Sequence, residues 1–260
     1  MSFGISSASL YPLETEKALE MIGKKNIPCA EVFFNSINEH KDDFVDKLVK
    51  IKDEYGIKIS SVHPTFSLSE SFLLFSAYER RTEEGFEIYK RYGEIASRLG
   101  AKYVILHGGK PNNVLDDYGY IERFYKLSKT VKEQGAVLLQ ENVVNFRAGS
   151  AEFLKKFTEY LKDDADICFD IKQAIRGIYD PIETINSIGK YIRHYHISDN
   201  CESSDCMLPG LGNFDFNELI KAASKFDYKG DYIIEVYRSA YNEYEELFSS
   251  YFNLLRDIKK

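Results

Sequence analysis

No apolar run in this chain of 260 residues approaches the roughly 20 needed to cross a bilayer; the longest are strand length. The opening MSFGISSASLYPLE has neither a basic start nor a long apolar stretch, so no signal peptide is expected. Cys29, Cys168, Cys201 and Cys206 lack paired CxxC spacing, and Cys168 lies inside an apolar run. Free thiols in a reducing cytoplasm are therefore expected, not a disulfide framework. Basic residues do not prevail: 34 Lys and Arg face 41 Asp and Glu, a formal charge of −7 that opposes nucleic-acid binding unless the basic groups cluster. The clearest basic stretch, Arg80-Arg81 with Lys90 and Arg91 beyond, is interleaved with Glu79, Glu83, Glu84 and Glu87 and reads as a solvated helix face. Neither a Gly-x-Gly-x-x-Gly fingerprint nor a P-loop is present.

Strand-like and helix-like patterns alternate from end to end, with no low-complexity stretch and no long linker, so a single domain over 1–260 is the simplest account. Strands are expected at Phe3–Ser6, Cys29–Phe34, Ile57–His63, Tyr103–His107, Val137–Glu141, Asp166–Asp170, Tyr191–Ile197 and Asp231–Tyr237. The helices between them cover about 14–26, 40–55, 82–98, 117–134, 150–161, 181–189, 215–226 and 240–258; Gly56, Gly100 and Gly135 supply stops, and Pro181 a first-turn start. Eight βα units in order favour a closed (β/α)8 barrel over a doubly wound sheet. Two connections stand out. Residues 64–81 carry Phe66, Phe72, Leu73, Leu74 and Phe75, which suits either a lid or a short helix packed on the barrel rim. Residues 198–212 read as a long polar loop.

Four of the strand runs end in a group able to hold a divalent ion: Glu141, Asp170, His196 and Glu235. In a barrel these ends converge at the face where catalytic residues gather. Three carboxylates and an imidazole suit Mn²⁺ first, with Mg²⁺, Co²⁺ and Zn²⁺ as alternatives. Crowded carboxylates repel one another and take up protons, and a divalent cation is the natural way to keep them ionised.

Taken in order, Ala30-Glu31-Val32, Ser61-Val62-His63, Ile105-Leu106-His107-Gly108, Gln140-Glu141-Asn142, Cys168-Phe169-Asp170, His194-Tyr195-His196-Ile197-Ser198-Asp199, Leu208-Pro209-Gly210-Leu211-Gly212-Asn213 and Ile234-Glu235-Val236 cover nearly the whole chain. In this order the chain resembles the xylose-isomerase-like barrels, which include sugar and sugar-phosphate isomerases and epimerases, with endonuclease IV as a relative. The resemblance implies one metal held by Glu141, Asp170, His196 and Glu235, with both Glu also moving protons. Such chemistry acidifies the carbon beside a carbonyl, passes through an enediolate, and epimerises or isomerises according to where the proton returns. Glu31, His63, His107 and Gln173 are the expected substrate-binding residues, with Glu31 bonding a substrate hydroxyl or orienting His63. His194, two residues before His196, is expected on the opposite side of its strand, and His40 at the surface. Lys110, Arg147 and Arg238 are candidate anion contacts that solvation would equally explain.

Departures from the group sharpen the reading. Gln173 stands where the group commonly has His, Ser204-Asp205-Cys206 lacks the Asp-x-His pair of endonuclease IV, and Glu202 occupies the neighbourhood of a substrate-binding Arg found in several epimerases. A trinuclear zinc cluster would therefore lack ligands, which with the net charge speaks against an abasic-site endonuclease. The expected partner is a small-molecule sugar, sugar phosphate or cyclitol, with no nucleic acid and no membrane; a homo-oligomer stays open. A dehydratase of the inosose or dehydroshikimate type is the sister reading, and a non-catalytic sugar-binding barrel a further one.

Overall fold

The computed structural model describes residues 2–64 and 67–258. Its barrel strands are β1 (Ser2–Ser6), β2 (Cys29–Phe33), β3 (Lys58–His63), β4 (Tyr103–Leu106), β5 (Val137–Glu141), β6 (Ile167–Asp170), β7 (Ile192–Ile197) and β10 (Asp231–Ile234). They close into one barrel in the order β1-β10-β7-β6-β5-β4-β3-β2. Every barrel pairing is parallel. The expected (β/α)8 architecture is thus the observed one, and β1 seals it against β10 with Ile5 beside Ile234.

Short apolar runs bounded by glycine and charged segments account for the strands, and period-3.6 apolar stripes for the helices outside them. These are α1 (Thr15–Lys24), α2 (Asp42–Tyr55), α3 (Ser67–Leu73), α4 (Glu79–Leu99), α5 (Asp117–Glu133), α6 (Ala151–Leu161), α7 (Ile171–Arg176), α8 (Pro181–Ile188), α9 (Phe216–Ser224) and α10 (Tyr244–Ile258). Gly56 and Gly100 end α2 and α4 in the left-handed region, as glycine permits. Asp116, Ser150, Asp180 and Asp215 cap α5, α6, α8 and α9 with side-chain acceptors.

Inside the barrel, Tyr103, Ile105, Leu139 and Cys168 form a small buried cluster separate from the main core under the helices. Strand side chains alternate with period two, so Glu141 and Asp170 rise one step above this cluster on the same interior face. The same rule corrects the expectation for His194. It shares the interior face with His196, and its ring lies 5.3 Å from that of His196 and 5.7 Å from that of Tyr103. Residues two apart on a strand point the same way.

Both unusual connections are built structures. α3 is a short packed helix and not a free lid: buried Glu70 accepts from Tyr89 Oη at 2.6 Å and Gly108 N at 2.7 Å. Leu74 and Phe75 are buried, with Phe75 stacked on Tyr120 at 4.2 Å. Phe72 is exposed beneath the Arg81 guanidinium, and Phe66 lies outside the described residues. After β7 comes an antiparallel hairpin, β8 (Asp199–Cys201) with β9 (Ser204–Met207), where a plain loop was expected. Asp199 folds the return: Oδ1 accepts from Asn200 N and Phe214 N, and Oδ2 from Gly210 N and Gly212 N. At Gly212 a Cβ would stand 2.3 Å from the Asn200 carbonyl oxygen, so only glycine fits that return. Nor is His40 a surface residue: it closes a 3-10 turn (Ile37–His40), half-buried, with Nε2 2.6 Å from Tyr92 Oη.

Candidate functional site

Glu141 and Asp170 are the last residues of β5 and β6, His196 is the penultimate residue of β7, and Glu235 directly follows β10. Register brings them level, with Asp170 beside His196 and Glu235 N donating to Ile197 O at 3.1 Å. One donor atom from each of the four lies within 4.8 Å of all the others. His196 Nδ1 sits 3.0 Å from Glu141 Oε1 and 3.5 Å from Glu235 Oε2. Its other nitrogen, Nε2, is 2.9 Å from Glu31 Oε2. Both ring nitrogens thus face carboxylate oxygens, as the two N–H groups of an imidazolium would; in the neutral form, with its single N–H given to Glu31, the Nδ1 lone pair would face the cluster.

Glu31 therefore orients His196, not His63. It is fully buried below the mouth, where Oε1 accepts from Ser6 Oγ at 2.9 Å and Oε2 from Ser61 Oγ at 2.7 Å. Among the described residues it does not border the cavity above the cluster. Ser61 Oγ also lies 3.1 Å from His194 Nε2, so His194 belongs to the layer that supports His196.

His63 and His107 meet over Glu141. Their Nε2 atoms are 3.0 Å apart, and Glu141 Oε2 is 2.9 Å from that of His107 and 3.6 Å from that of His63. His63 Nδ1 donates to Pro64 O at 3.0 Å, which fixes its ring. These three residues also form a group with metal-ligating spacing, sharing Glu141 with the first.

Lys172 is a site residue that the sequence reading missed. Its side chain is only 2% exposed, with Nζ 2.8 Å from Asp170 Oδ2 and 3.0 Å from Glu235 Oε2. Asp170 is the N-cap of α7, Oδ1 accepting from Gln173 N at 3.2 Å, which leaves Oδ2 to face the cluster. Asn142, also missed, clamps the Asp170 backbone by accepting from its N at 2.7 Å and donating to its O at 2.9 Å. Gln173 Oε1 accepts from Val144 N at 3.0 Å.

Electrostatics follow from packing four carboxylates around one ammonium in a buried space. Burial opposes ionisation of Glu141, but His107, His196 and His63 outweigh it and hold the carboxyl well below its usual range. For Glu31, burial is outweighed mainly by His196. Asp170 goes the other way, raised by burial and by Glu141 and Glu235 despite Lys172. His63 is pushed up to about 9 because Glu141 and Glu31 overcome its burial.

Above the cluster opens a cavity of about 400 Å³ bordered by His63, His107, Glu141, Lys172, Gln173 and Glu235, with Phe33, Phe146 and Tyr237 as apolar walls. That volume is within the roughly 300–1,000 Å³ of small-molecule sites, and the apolar walls with few convergent polar groups fit that class.

The sequence matches the model of the xylose isomerase-like TIM barrel family over residues 18–257. The chain belongs to that family. Among solved structures it is similar to a D-tagatose 3-epimerase-like protein (24% identity, 100% of this chain and 98% of that one, TM-score 0.79). A D-psicose 3-epimerase crystallised with D-fructose shares 17% identity over 98% and 97% of the two chains, at TM-score 0.82. The IolI protein with a bound zinc atom shares 18% over 99% and 98%, at TM-score 0.80. No curated protein matches the chain in sequence.

Within this xylose isomerase-like barrel the candidate anion contacts have structural work. Arg147 Nη1 pairs with Asp117 at 2.7 Å and Nη2 donates to the carbonyls of Pro111 and Leu115. Arg238 donates to the carbonyls of Tyr241 and Asn242 while bordering the cavity. Lys110 Nζ lies 4.1 Å from the centroid of the Phe146 ring. The four cysteines are free thiols, and no helix among the described residues is long and apolar enough to cross a membrane.

Proposed function

We propose that the protein is a divalent-metal-dependent sugar or sugar-phosphate isomerase/epimerase, with Glu141 and Glu235 as its acid/base pair. One observation carries the reading: both carboxylates border the same 400 Å³ cavity and both approach His196 Nδ1, so two bases and a ligand nitrogen address one bound molecule. The residues fit an ion. Glu141, Asp170 and Glu235 bring three carboxylates into one buried space against a single ammonium, Lys172, and like charges so crowded are costly unless a further cation offsets them. Glu141, Asp170, His196 and Glu235 would hold it, and oxygen donors with one imidazole suit Mn²⁺. When bound, the ion would supply Lewis-acid polarisation of a carbonyl and its neighbouring hydroxyl.

The chain's own residues do the rest. One Glu removes a proton from the carbon beside the carbonyl, and the other returns one from its side of the cavity. Return to the same carbon gives an epimer, and return to the neighbour an isomer. His107, 15% exposed and backed by Glu141, and His63 both border the cavity and would hold substrate hydroxyls. Gln173 has its Oε1 committed to Val144 N, so its amide NH2 is the group offered to a ligand. Phe33, Phe146 and Tyr237 supply the apolar walls against which the carbon skeleton of a sugar would lie.

The test is turnover of a panel of ketoses, aldoses, their phosphates and cyclitols with Mn²⁺ in deuterated water. Deuterium should enter the substrate at one carbon with inversion or carbonyl transfer. Absence of exchange across the panel in protein carrying Mn²⁺ would reject the reading.

A further inference from the structure

We propose that Lys172 is the resident counter-cation of the carboxylate cluster, and that a divalent ion enters by displacing its ammonium from Asp170 and Glu235. The inference rests on the metal-site reading above and adds to it a rival ligand for the same oxygens.

Three observations lead to it. First, the ammonium and an ion would use the same atoms. Asp170 Oδ1 is committed to capping α7 through Gln173 N, so Oδ2 is the oxygen left for a ligand, and Lys172 Nζ is 2.8 Å from it. Glu235 Oε2, which points at His196 Nδ1, is the second oxygen the lysine takes, at 3.0 Å. Second, this lysine is buried, unlike a solvated surface cation, and a buried charge persists only where it is paired. Without it Asp170, Glu141 and Glu235 would face one another uncompensated. Third, the ammonium has somewhere to go. Lys172 stands in the first turn of α7, its backbone set by the Asp170 cap, and its flexible stem borders the cavity, with Nζ 5.1 Å from the centroid of the half-exposed Tyr237 ring. A swing toward that ring keeps a cation–π contact while vacating both carboxylates.

The consequence is a built-in competition. The metal-free protein keeps its ligands assembled, at the cost of weaker binding than the same ligands would show without the lysine. A monocation and a divalent ion cannot both sit within hydrogen-bond distance of these oxygens without strong repulsion.

Calorimetric titration of metal-stripped wild type, Lys172→Met and Asp170→Asn with Mn²⁺, with thermal unfolding of each, tests this. Lys172→Met should bind Mn²⁺ about tenfold more tightly or better, by removal of a competing charge from two ligand oxygens. It should melt below wild type without metal and gain more on Mn²⁺ addition. Equal or weaker binding by a folded Lys172→Met, with wild type binding and Asp170→Asn not, would overturn the inference and leave the metal site standing. Failure of wild type and Lys172→Met alike to bind Mn²⁺ would overturn both. Should Lys172→Met not fold, the crystal structure of Mn²⁺-loaded wild type decides. Nζ beyond hydrogen-bond reach of Asp170 Oδ2 supports displacement, and Nζ still in place refutes it.

Discussion

Replacing Glu31 should weaken metal binding although Glu31 is not among the four proposed ligands. Its Oε2 accepts from His196 Nε2 at 2.9 Å and from the Ser61 hydroxyl at 2.7 Å, while Oε1 accepts from the Ser6 hydroxyl at 2.9 Å. In Glu31→Gln the amide oxygen can still serve His196 and Ser61, and the Ser6 hydroxyl can turn to accept from the new NH2. Geometry survives; the carboxylate charge does not. A hydrogen bond to a charged group contributes roughly 1.5–3 kcal/mol against about 1 for a neutral one, so His196 loses about 1–1.5 kcal/mol of support, close to tenfold in affinity. Glu31→Leu removes the acceptor altogether, frees the ring to adopt the other tautomer with N–H toward the ligands, and should cost up to about 100-fold. Titration of Mn²⁺ into each variant, with circular dichroism to confirm folding, gives the numbers. Affinities within twofold of wild type in both variants would show that Glu31 does not set the His196 tautomer.

Asp170→Ala or His196→Ala should abolish tight Mn²⁺ binding and leave no stoichiometric ion after gel filtration, since each removes one of four ligands; undiminished metal content in both would remove the site. Glu235→Gln that still holds metal should lose solvent-deuterium incorporation by about 100-fold or more, the scale of a general base, as read by mass spectrometry. Glu70→Ala leaves the buried Gly108 N–H and Tyr89 hydroxyl without their shared acceptor and should cost about 2–4 kcal/mol in urea unfolding. His40, lowered from 6.5 to about 4 by burial and then Arg91, must be neutral in the folded state. The unfolded chain binds the extra proton between those values, so this contribution is present above about pH 6.5 and lost as pH falls toward 4, by about 1 kcal/mol after allowance for the ring's partial exposure. His40→Gln should show that much less loss between pH 7.5 and 4.5.

The barrel was legible because each strand is a short apolar run closed by a polar group, and each following helix carries an apolar stripe and a stop such as Gly56 or Gly100. What escaped were elements whose cause is tertiary. α7 is six residues long and starts directly at the end of β6, capped by Asp170, so no turn residue announces it. The β8–β9 hairpin has no apolar alternation; Asp199 organises the return through four backbone N–H groups drawn from Asn200 to Phe214. Two residues along a strand is one full repeat, so His194 shares the face of His196 and does not take the opposite one.

At the site, the strand-end positions of Glu141, Asp170, His196 and Glu235 were readable from sequence, and the structure brings donor atoms of all four together. Lys172 was not, because a lysine in a helix is nearly always solvated and nothing in its own neighbourhood says otherwise. The usable signal is relational: a lysine two residues beyond a strand-end carboxylate, on the first turn of the helix that carboxylate caps, has its stem directed back over the turn before it, toward the barrel mouth. Charge supplies the reason it stays there. Glu31, Glu141, Asp170 and Glu235 are too many carboxylates for one buried space with a single ammonium, and His63 and His196 respond by holding their protons more tightly. Relief by a divalent ion would let both histidines return to the neutral form in which His196 can ligate, so the same excess of negative charge that keeps Lys172 in place is what favours the ion that would evict it.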